Sequence, residues 1–265
     1  MDLFLIVGII VGVLSVVVGM IVKGADVHVL LNPAAAIIII IGTIAATANS
    51  FPKKEFLNIP KITGVLFRER KDGDPVQIIK DIIEMAQMAR KEGLLSLEQK
   101  RVDMKNEYMK KGLGMVVDGI EQEYIRDVMT TEMESMEERH RAGAQVFTTA
   151  GGAAPTLGVL GAVIGLIGAL GNLEDTEKLG HMIAAAFVAT LYGIFTGYVL
   201  CHPFASRLKR KSAEELRLMN IILEGVLSIQ AGENPKSIEM KLVGLLEPKE
   251  RKAFESAAVE NNNNG

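Results

Sequence analysis

Tryptophan is absent from this chain, and cysteine occurs once, at Cys201, in 265 residues. One cysteine excludes an intrachain disulfide. Without Trp, any aromatic belt at a membrane interface falls to the 4 Tyr and 9 Phe. A net charge of -3 offers no basic surface for phosphate, so no nucleic-acid partner is expected. There is no phosphate-binding loop, no nucleophile elbow and no His/Cys/Glu cluster at metal spacing. The four histidines, His28, His140, His181 and His202, lie far apart and form no pair at helical spacing, so no metal is assigned to them. The chain therefore reads as a protein that is not an enzyme and carries no cofactor.

The most informative absence is local. Charged residues make up 23% of the chain, yet four long runs contain no Asp, Glu, Lys or Arg. Leu3 to Val22 holds 20 residues without a charge, enough to cross about 30 Å of hydrocarbon as a helix. It lacks a basic leading region and exceeds the apolar core of a signal peptide. Asn32-Pro33 has the form of a helix start, with Asn as N-cap and Pro in the first turn. From there a second run extends from Ala34 to Phe51, through five isoleucines from Ile37 to Ile41. The third, Ala142 to Leu173, and the fourth, Leu179 to Ser206, are longer than a bilayer requires. These runs predict an all-α membrane protein with four transmembrane helices and a helical cytoplasmic domain inserted between spans two and three.

Basic residues orient the spans. Lys53, Lys54, Lys61, Arg68, Arg70 and Lys71 follow span two, Arg139 and Arg141 precede span three, and Arg207, Lys209, Arg210 and Lys211 follow span four. The loop between spans three and four carries Glu174, Asp175, Glu177 and a single Lys178. The large loop, the tail and both termini are thus expected on the cytoplasmic side. The chain divides into a hairpin at 1–51, a soluble helical part at 52–141, a second hairpin at 142–206, and a C-terminal helix with a disordered tail at 207–265. In the soluble part, Asp74-Pro75 with Gln77 predicts a capped helix that Gly93 ends. Its apolar stripe is Ile78, Ile79, Ile82, Ile83 and Ala86. A second helix is expected from Ser96 to Gly112, and a third from near Leu113, running on into span three. Beyond Leu246 the composition is polar and predicts disorder. The paired hairpins are the one internal repetition.

Small residues mark the last two spans. Gly158, Gly161, Gly165 and Gly168 share one helix face, and Ala189, Gly193 and Gly197 make a second; Gly8 and Gly12 form a pair in span one. Such faces admit another helix closely. That helix is either one of the chain's own or a separate one enclosed in an oligomer. Polar atoms are few: Thr156, Thr190 and Thr196, each able to bond its own backbone one turn back. Pro155 and Pro203 each remove a backbone donor and free a carbonyl, giving a kink or a hinge. An ion transporter ordinarily holds an intramembrane carboxylate, and these spans have none. Either the chain moves no ions, or a partner helix brings the carboxylate.

The run Ala154-Pro155-Thr156-Leu157-Gly158-Val159-Leu160-Gly161-Ala162-Val163-Ile164-Gly165-Leu166 resembles the third span of flagellar stator proteins in the MotA/TolQ/ExbB proton channel family. The run from Ala185 to Gly193 resembles their fourth span, and Ala89-Arg90-Lys91-Glu92-Gly93-Leu94-Leu95-Ser96-Leu97-Glu98 their rotor-facing segment. The resemblance covers nearly the whole chain. It implies a homopentamer around two copies of MotB in the bacterial inner membrane, with MotB supplying the ion-binding Asp. It further implies contacts of Arg90 and Glu98, and to a lesser extent Lys91, with the rotor protein FliG. Charge alone reads those three as a solvated helix surface. The ion pathway and partner-helix face would comprise Pro155, Ala162, Thr190 and Pro203 with Gly158, Gly161 and Gly165. Sodium-driven relatives tend to carry Thr where Ala162 stands, so the transported ion is expected to be H+ rather than Na+. Competing readings are an ExbB/TolQ-type energiser, which has three spans, and a membrane scaffold or self-contained transporter.

Overall fold

The computed structural model describes residues 2–68, 73–102 and 104–263, with side chains to Ser256. No strand occurs among the described residues. Helix α1 is Leu3–Val22, opened by Asp2, whose carboxylate accepts from the Leu5 amide at 3.4 Å. Helix α2 covers residues 33–50. Asn32 caps it through the Ala35 amide at 3.0 Å with Pro33 in the first turn, as the sequence predicts. Its five isoleucines, Ile37–Ile41, take π-helical geometry, which the sequence reading did not foresee. Successive β-branched side chains crowd an α-turn, and the wider π spacing relieves that crowding. After α3 (Ile59–Phe67) come α4 (Pro75–Glu92), α5 (Leu97–Val102), α6 (Glu107–Val117) and the 49-residue α7 (Gln122–Leu170). Helix α8 (Thr176–Gln230) contains a second π segment, Phe195–Cys201, directly before His202-Pro203. Helices α9 (Pro235–Val243) and α10 (Pro248–Asn263) complete the chain.

The chain forms two compact units. The first takes residues 1–69 and 139–210, and includes all four charge-free runs. Among the described residues, four helices are long and apolar enough to cross a membrane, α1 and the stretch Val27–Ser50 included. Large apolar side chains stand open along α1, from Phe4 at 83% exposure to Val22 at 81%. A helix that is apolar all round fits a lipid surrounding. Near one end of the unit, Leu5, Leu66, Ala144, Phe147, Ala205 and Leu208 form a small core. Phe204 meets Phe67 and Phe147 edge-on there, at centroid distances of 6.3 and 6.0 Å. Arg207 donates to Asp2 beside it, so the chain start is tied to α8 by charge.

The second unit, residues 70–138 and 211–265, is a helical bundle. Its centre joins Ile79 and Ile82 of α4, Leu113 and Val116 of α6, Ile125 and Met129 of α7, Ile221, Ile222 and Val226 of α8, and Ile238 and Leu242 of α9. Each such aliphatic burial contributes roughly 1.5–3 kcal/mol before entropy is subtracted. The stripe predicted on α4 packs inward, with Ile83 half-buried at its margin. Burial raises Glu224's affinity for a proton, but Lys241 at 2.6 Å and Arg126 at 3.5 Å outweigh it and hold the carboxyl below its usual range.

Three expectations change. The expected helix from Ser96 to Gly112 is broken, because Asn106 caps a new helix, α6, through the Met109 amide at 3.0 Å. Gly112 is no stop signal; it lies buried inside α6, where a Cβ would come within 2.8 Å of Met129 and 3.1 Å of Val226. The third helix therefore begins at Gln122, after Gly119 turns the chain at φ +73°. The tail expected to be disordered carries α10 as far as Asn263. Pro248 opens it, and the Glu250 carboxylate accepts from the Glu247 amide at 2.9 Å, a cap that composition alone hides.

Arg217 of α8 fastens α10 by donating two hydrogen bonds to Glu250, at 2.8 and 2.9 Å. Those bonds hold the Glu250 carboxyl below its ordinary value, against the opposing effect of burial. A carboxylate with a depressed folded pKa stabilises above the unfolded value, near 4.3, and that contribution is lost as pH falls through the folded one. Amide exchange across α10, taken relative to the intrinsic rate at each pH, should therefore stay constant at neutral pH and rise below about pH 4.3. Glu250→Gln should raise it already at pH 7.

Candidate functional site

Two features of the fold gather the residues of interest. The first is the contact between α7 and α8 in the first unit. A Cβ placed on Gly158 would lie 3.1 Å from the Ala189 carbonyl oxygen and 3.2 Å from the Cα atoms of Gly193 and Thr190. One on Gly193 would lie 2.5 Å from the Ala154 oxygen and 2.9 Å from the Gly158 Cα. Gly161 faces the Ala189 methyl, Gly165 faces Ala186, and Gly168 receives the Met182 side chain. Backbone thus meets backbone along three turns. The stripe of Gly158, Gly161 and Gly165 packs on α8 within the chain, the first of its two alternatives.

Helix α2 covers a flank of this pair. Leu157 sits on Gly42, and Ile38 of the first π segment reaches toward Gly161. The Tyr192 hydroxyl donates to the Leu30 carbonyl oxygen. In span one Gly12 receives Val199 and Phe195, while Gly8 has open space around it.

The two prolines act differently. Helix α7 continues through Pro155. Lacking an amide proton, Pro155 leaves the Gly151 carbonyl without its helical donor. Gly197 lies over that carbonyl and over the proline ring, where a Cβ would come within 2.7 Å of the oxygen and 2.8 Å of the ring. Pro203 likewise cannot bond the carbonyl four residues back, and α8 accommodates this in the π segment Phe195–Cys201. Gly197 belongs to that segment, so the structure brings Pro155 against the irregular turn that precedes Pro203.

Thr190 is half-buried, with its hydroxyl 3.5 Å from both the Gly158 and the Ala186 oxygens, long for a hydrogen bond. Thr156 is exposed and donates to the Ala153 oxygen at 2.7 Å. Ala162 is half-buried and Pro203 exposed. On α7 the exposed face runs through Gly152, Thr156, Val159, Val163 and Leu166.

The second feature is the charged end of α4. Asp74 caps this helix through the Val76 amide at 3.1 Å. Arg90 and Lys91 occupy its last turn and are exposed, and neither makes an ion pair among the described residues. Gly93, at φ +85°, turns the chain into Leu94–Ser96, leaving Leu95 77% exposed. Glu98 follows in α5 but is engaged, accepting from Arg101 at 2.6 Å. Beside Arg90 lies a cleft of about 230 Å³ between Ala86, Ala89 and Leu94 on one wall and Ile229 and Glu233 on the other. Sequence reading grouped Arg90, Lys91 and Glu98 together; the structure separates two free cations from a paired anion. The i,i+3 spacing of Glu98 and Arg101 was the signal available for that pairing.

A Gly193→Ala substitution should overpack the α7–α8 contact and cost about 1–3 kcal/mol, read as a lower midpoint in detergent thermal denaturation followed by circular dichroism. Gly8→Ala, with nothing within 4 Å, should leave that midpoint unchanged.

Comparison with known proteins adds the following. The model of the MotA/TolQ/ExbB proton channel family matches residues 100–221. Motility protein A of Bacillus subtilis is 53% identical over 254 residues, covering 96% of this chain and 94% of that protein. Among solved structures, the flagellar MotAB stator complex from Bacillus subtilis superposes with a TM-score of 0.89 at 53% identity, covering 94% of this chain and 98% of that one. The C. jejuni MotAB structure gives a TM-score of 0.89 at 32% identity, covering 94% and 97%.

Proposed function

The chain belongs to the MotA/TolQ/ExbB proton channel family, and from that premise we propose that it is a stator subunit of the bacterial flagellar motor. With a MotB partner it forms an ion channel whose flux drives the rotor. The observation that carries this reading is the likeness to a motility protein over 96% of the chain, N-terminal hairpin included. An energiser of the ExbB/TolQ type, with three spans, has no use for that hairpin. The charge-free spans agree with it: a conducting path needs a carboxylate, and a partner helix that brings one completes the site.

In this reading the spans cross the bacterial inner membrane with both termini inside, and the second compact unit is cytoplasmic. Five copies surround two MotB helices. Pro155, Ala162, Thr190 and Pro203 line the ion pathway. Gly158, Gly161 and Gly165 serve it from behind, by holding α8 against α7. The ion is a proton: Ala162 offers no oxygen, whereas sodium must replace its lost water with oxygen ligands. Each elementary charge crossing about 100 mV releases about 2.3 kcal/mol, enough to bias one step of a rotating ring.

Rotor contact falls to Arg90 first, with Lys91 beside it, since both cations are unpaired, while Glu98 must first leave Arg101. Arg90→Glu should leave stability within about 0.5 kcal/mol of wild type, as for an exposed side chain, yet abolish or strongly reduce rotation in a tethered-cell assay. A compensating charge reversal on FliG should restore it; normal swimming by the single variant would remove the rotor-contact assignment. Rotation should also persist when sodium is replaced by potassium and stop on addition of a protonophore. Arrest in sodium-free medium would reverse the ion assignment. Copurification with a single-span partner bearing one intramembrane Asp tests the channel itself, and ion leak through this chain reconstituted alone would instead support a self-contained transporter.

A further inference from the structure

A proton leaving a carboxylate on a partner helix must cross the inner half of this protein to reach the cytoplasm, and the spans offer it few bases. Between Arg141 and Glu174, α7 carries no titratable side chain, and α1 carries none between Asp2 and Lys23. From α3, which packs at Phe204 through Phe67, the nearby titratable groups are Lys61 and Arg68. On α8 itself the candidates beyond Tyr192 are Tyr198, Cys201, His202 and then Arg207, which is paired with Asp2. Among these, only histidine exchanges protons near neutral pH in its ordinary state.

The placement of His202 is specific. It closes the π segment Phe195–Cys201 and immediately precedes Pro203. Its ring lies over Gly151, where a Cβ would come within 3.0 Å of Cδ2, Cε1 and Nε2, so the missing side chain makes room for the imidazole. Gly151 is also the residue whose carbonyl Pro155 leaves without a helical donor. The Pro155 ring rests on Gly197, five residues before His202, or about 7.5 Å of helix rise. The imidazole is half-buried, and its nitrogens make no protein hydrogen bond among the described residues. Tyr198, exposed, holds its ring 5.2 Å from the imidazole at a 42° tilt, so the pair stands on the open side of the helix.

Resting on the stator reading above, we propose that His202 is the exit relay for the transported proton, accepting it through water on the inner side of the proline pair and releasing it to the cytoplasm. In the step, the O–H bond of the partner's carboxylic acid breaks as water takes the proton, and an N–H bond forms on the imidazole. That bond then breaks as cytoplasmic water receives the proton, so charge and atoms balance. Gly151 is a positioning element, since its missing side chain leaves the space that the ring occupies.

The test uses the full chain coexpressed with its partner, with rotation speed read at low load while cytoplasmic pH is clamped at values from about 5.5 to about 8. The wild-type speed should follow cytoplasmic pH. His202→Gln should assemble normally, lose about tenfold in speed and show a flat profile. That loss is smaller than the ~10²-fold typical for removal of a positioned acid-base group, because water substitutes in part. His202→Ala should be slow and recover on addition of imidazole. A His202→Gln motor with wild-type speed and profile overturns the relay and leaves the stator reading intact. So does a slowed His202→Ala motor that keeps the wild-type profile and ignores imidazole, since its defect is then structural. A wild-type complex that passes no protons overturns the stator reading and the relay with it.

Discussion

Everything in the membrane unit depends on how closely α7 and α8 approach. Where Gly158 meets Gly193 and Gly197 meets Gly151, backbone atoms occupy the space that side chains would ordinarily fill. In hydrocarbon, apolar side chains gain little by leaving lipid for protein, so close packing and weak polar contacts must hold helices together. A contact without side chains maximises both. It also covers a carbonyl that a proline has stripped of its donor, which an exposed helix face could not leave bare in lipid. The packing and the proline irregularities therefore form one arrangement.

The second unit is built on the opposite economy. Its core is filled mainly by Ile, Leu, Val and Met from α4 through α9, and its polar groups are settled by ion pairs at the margin, such as Glu224 with Lys241 and Arg217 with Glu250. Within that settled surface, Arg90 and Lys91 stand out because nothing in the described chain answers their charge. These cations lie beside Leu95, which is itself exposed.

Much of this was legible in the sequence because the signals were long. Runs of 18 or more residues without a charge leave little room for error, and Asn32-Pro33 and Asp74-Pro75 marked helix starts that the structure reproduces. The errors came where one residue type serves two purposes. Gly112 looked like a stop and is a packing contact; Gly158, Gly161 and Gly165, which in sequence fitted either a helix of the chain or a separate one, pack on α8. A glycine reports that space is short, not what fills it. The tail failed for a related reason: its polar composition hid Glu250, whose cap and ion pair hold α10 with little apolar burial beyond Phe254. The π segments were invisible because hydrophobic periodicity cannot separate one wide turn from two ordinary ones.

Those π segments carry one more implication. A π turn is an α-helix holding a residue more than it needs, and each residue of an α-helix advances the direction of its neighbours by about 100°. The extra residue within Phe195–Cys201 thus sets the rotational phase of all that follows on α8, from His202 and Pro203 to the basic run at Arg207, Lys209 and Arg210. A deletion of one residue there would restore ordinary α spacing and turn residues 202–210 to a different side of the helix. Loss of a residue, which most surface loops absorb, is at this turn a change of heading.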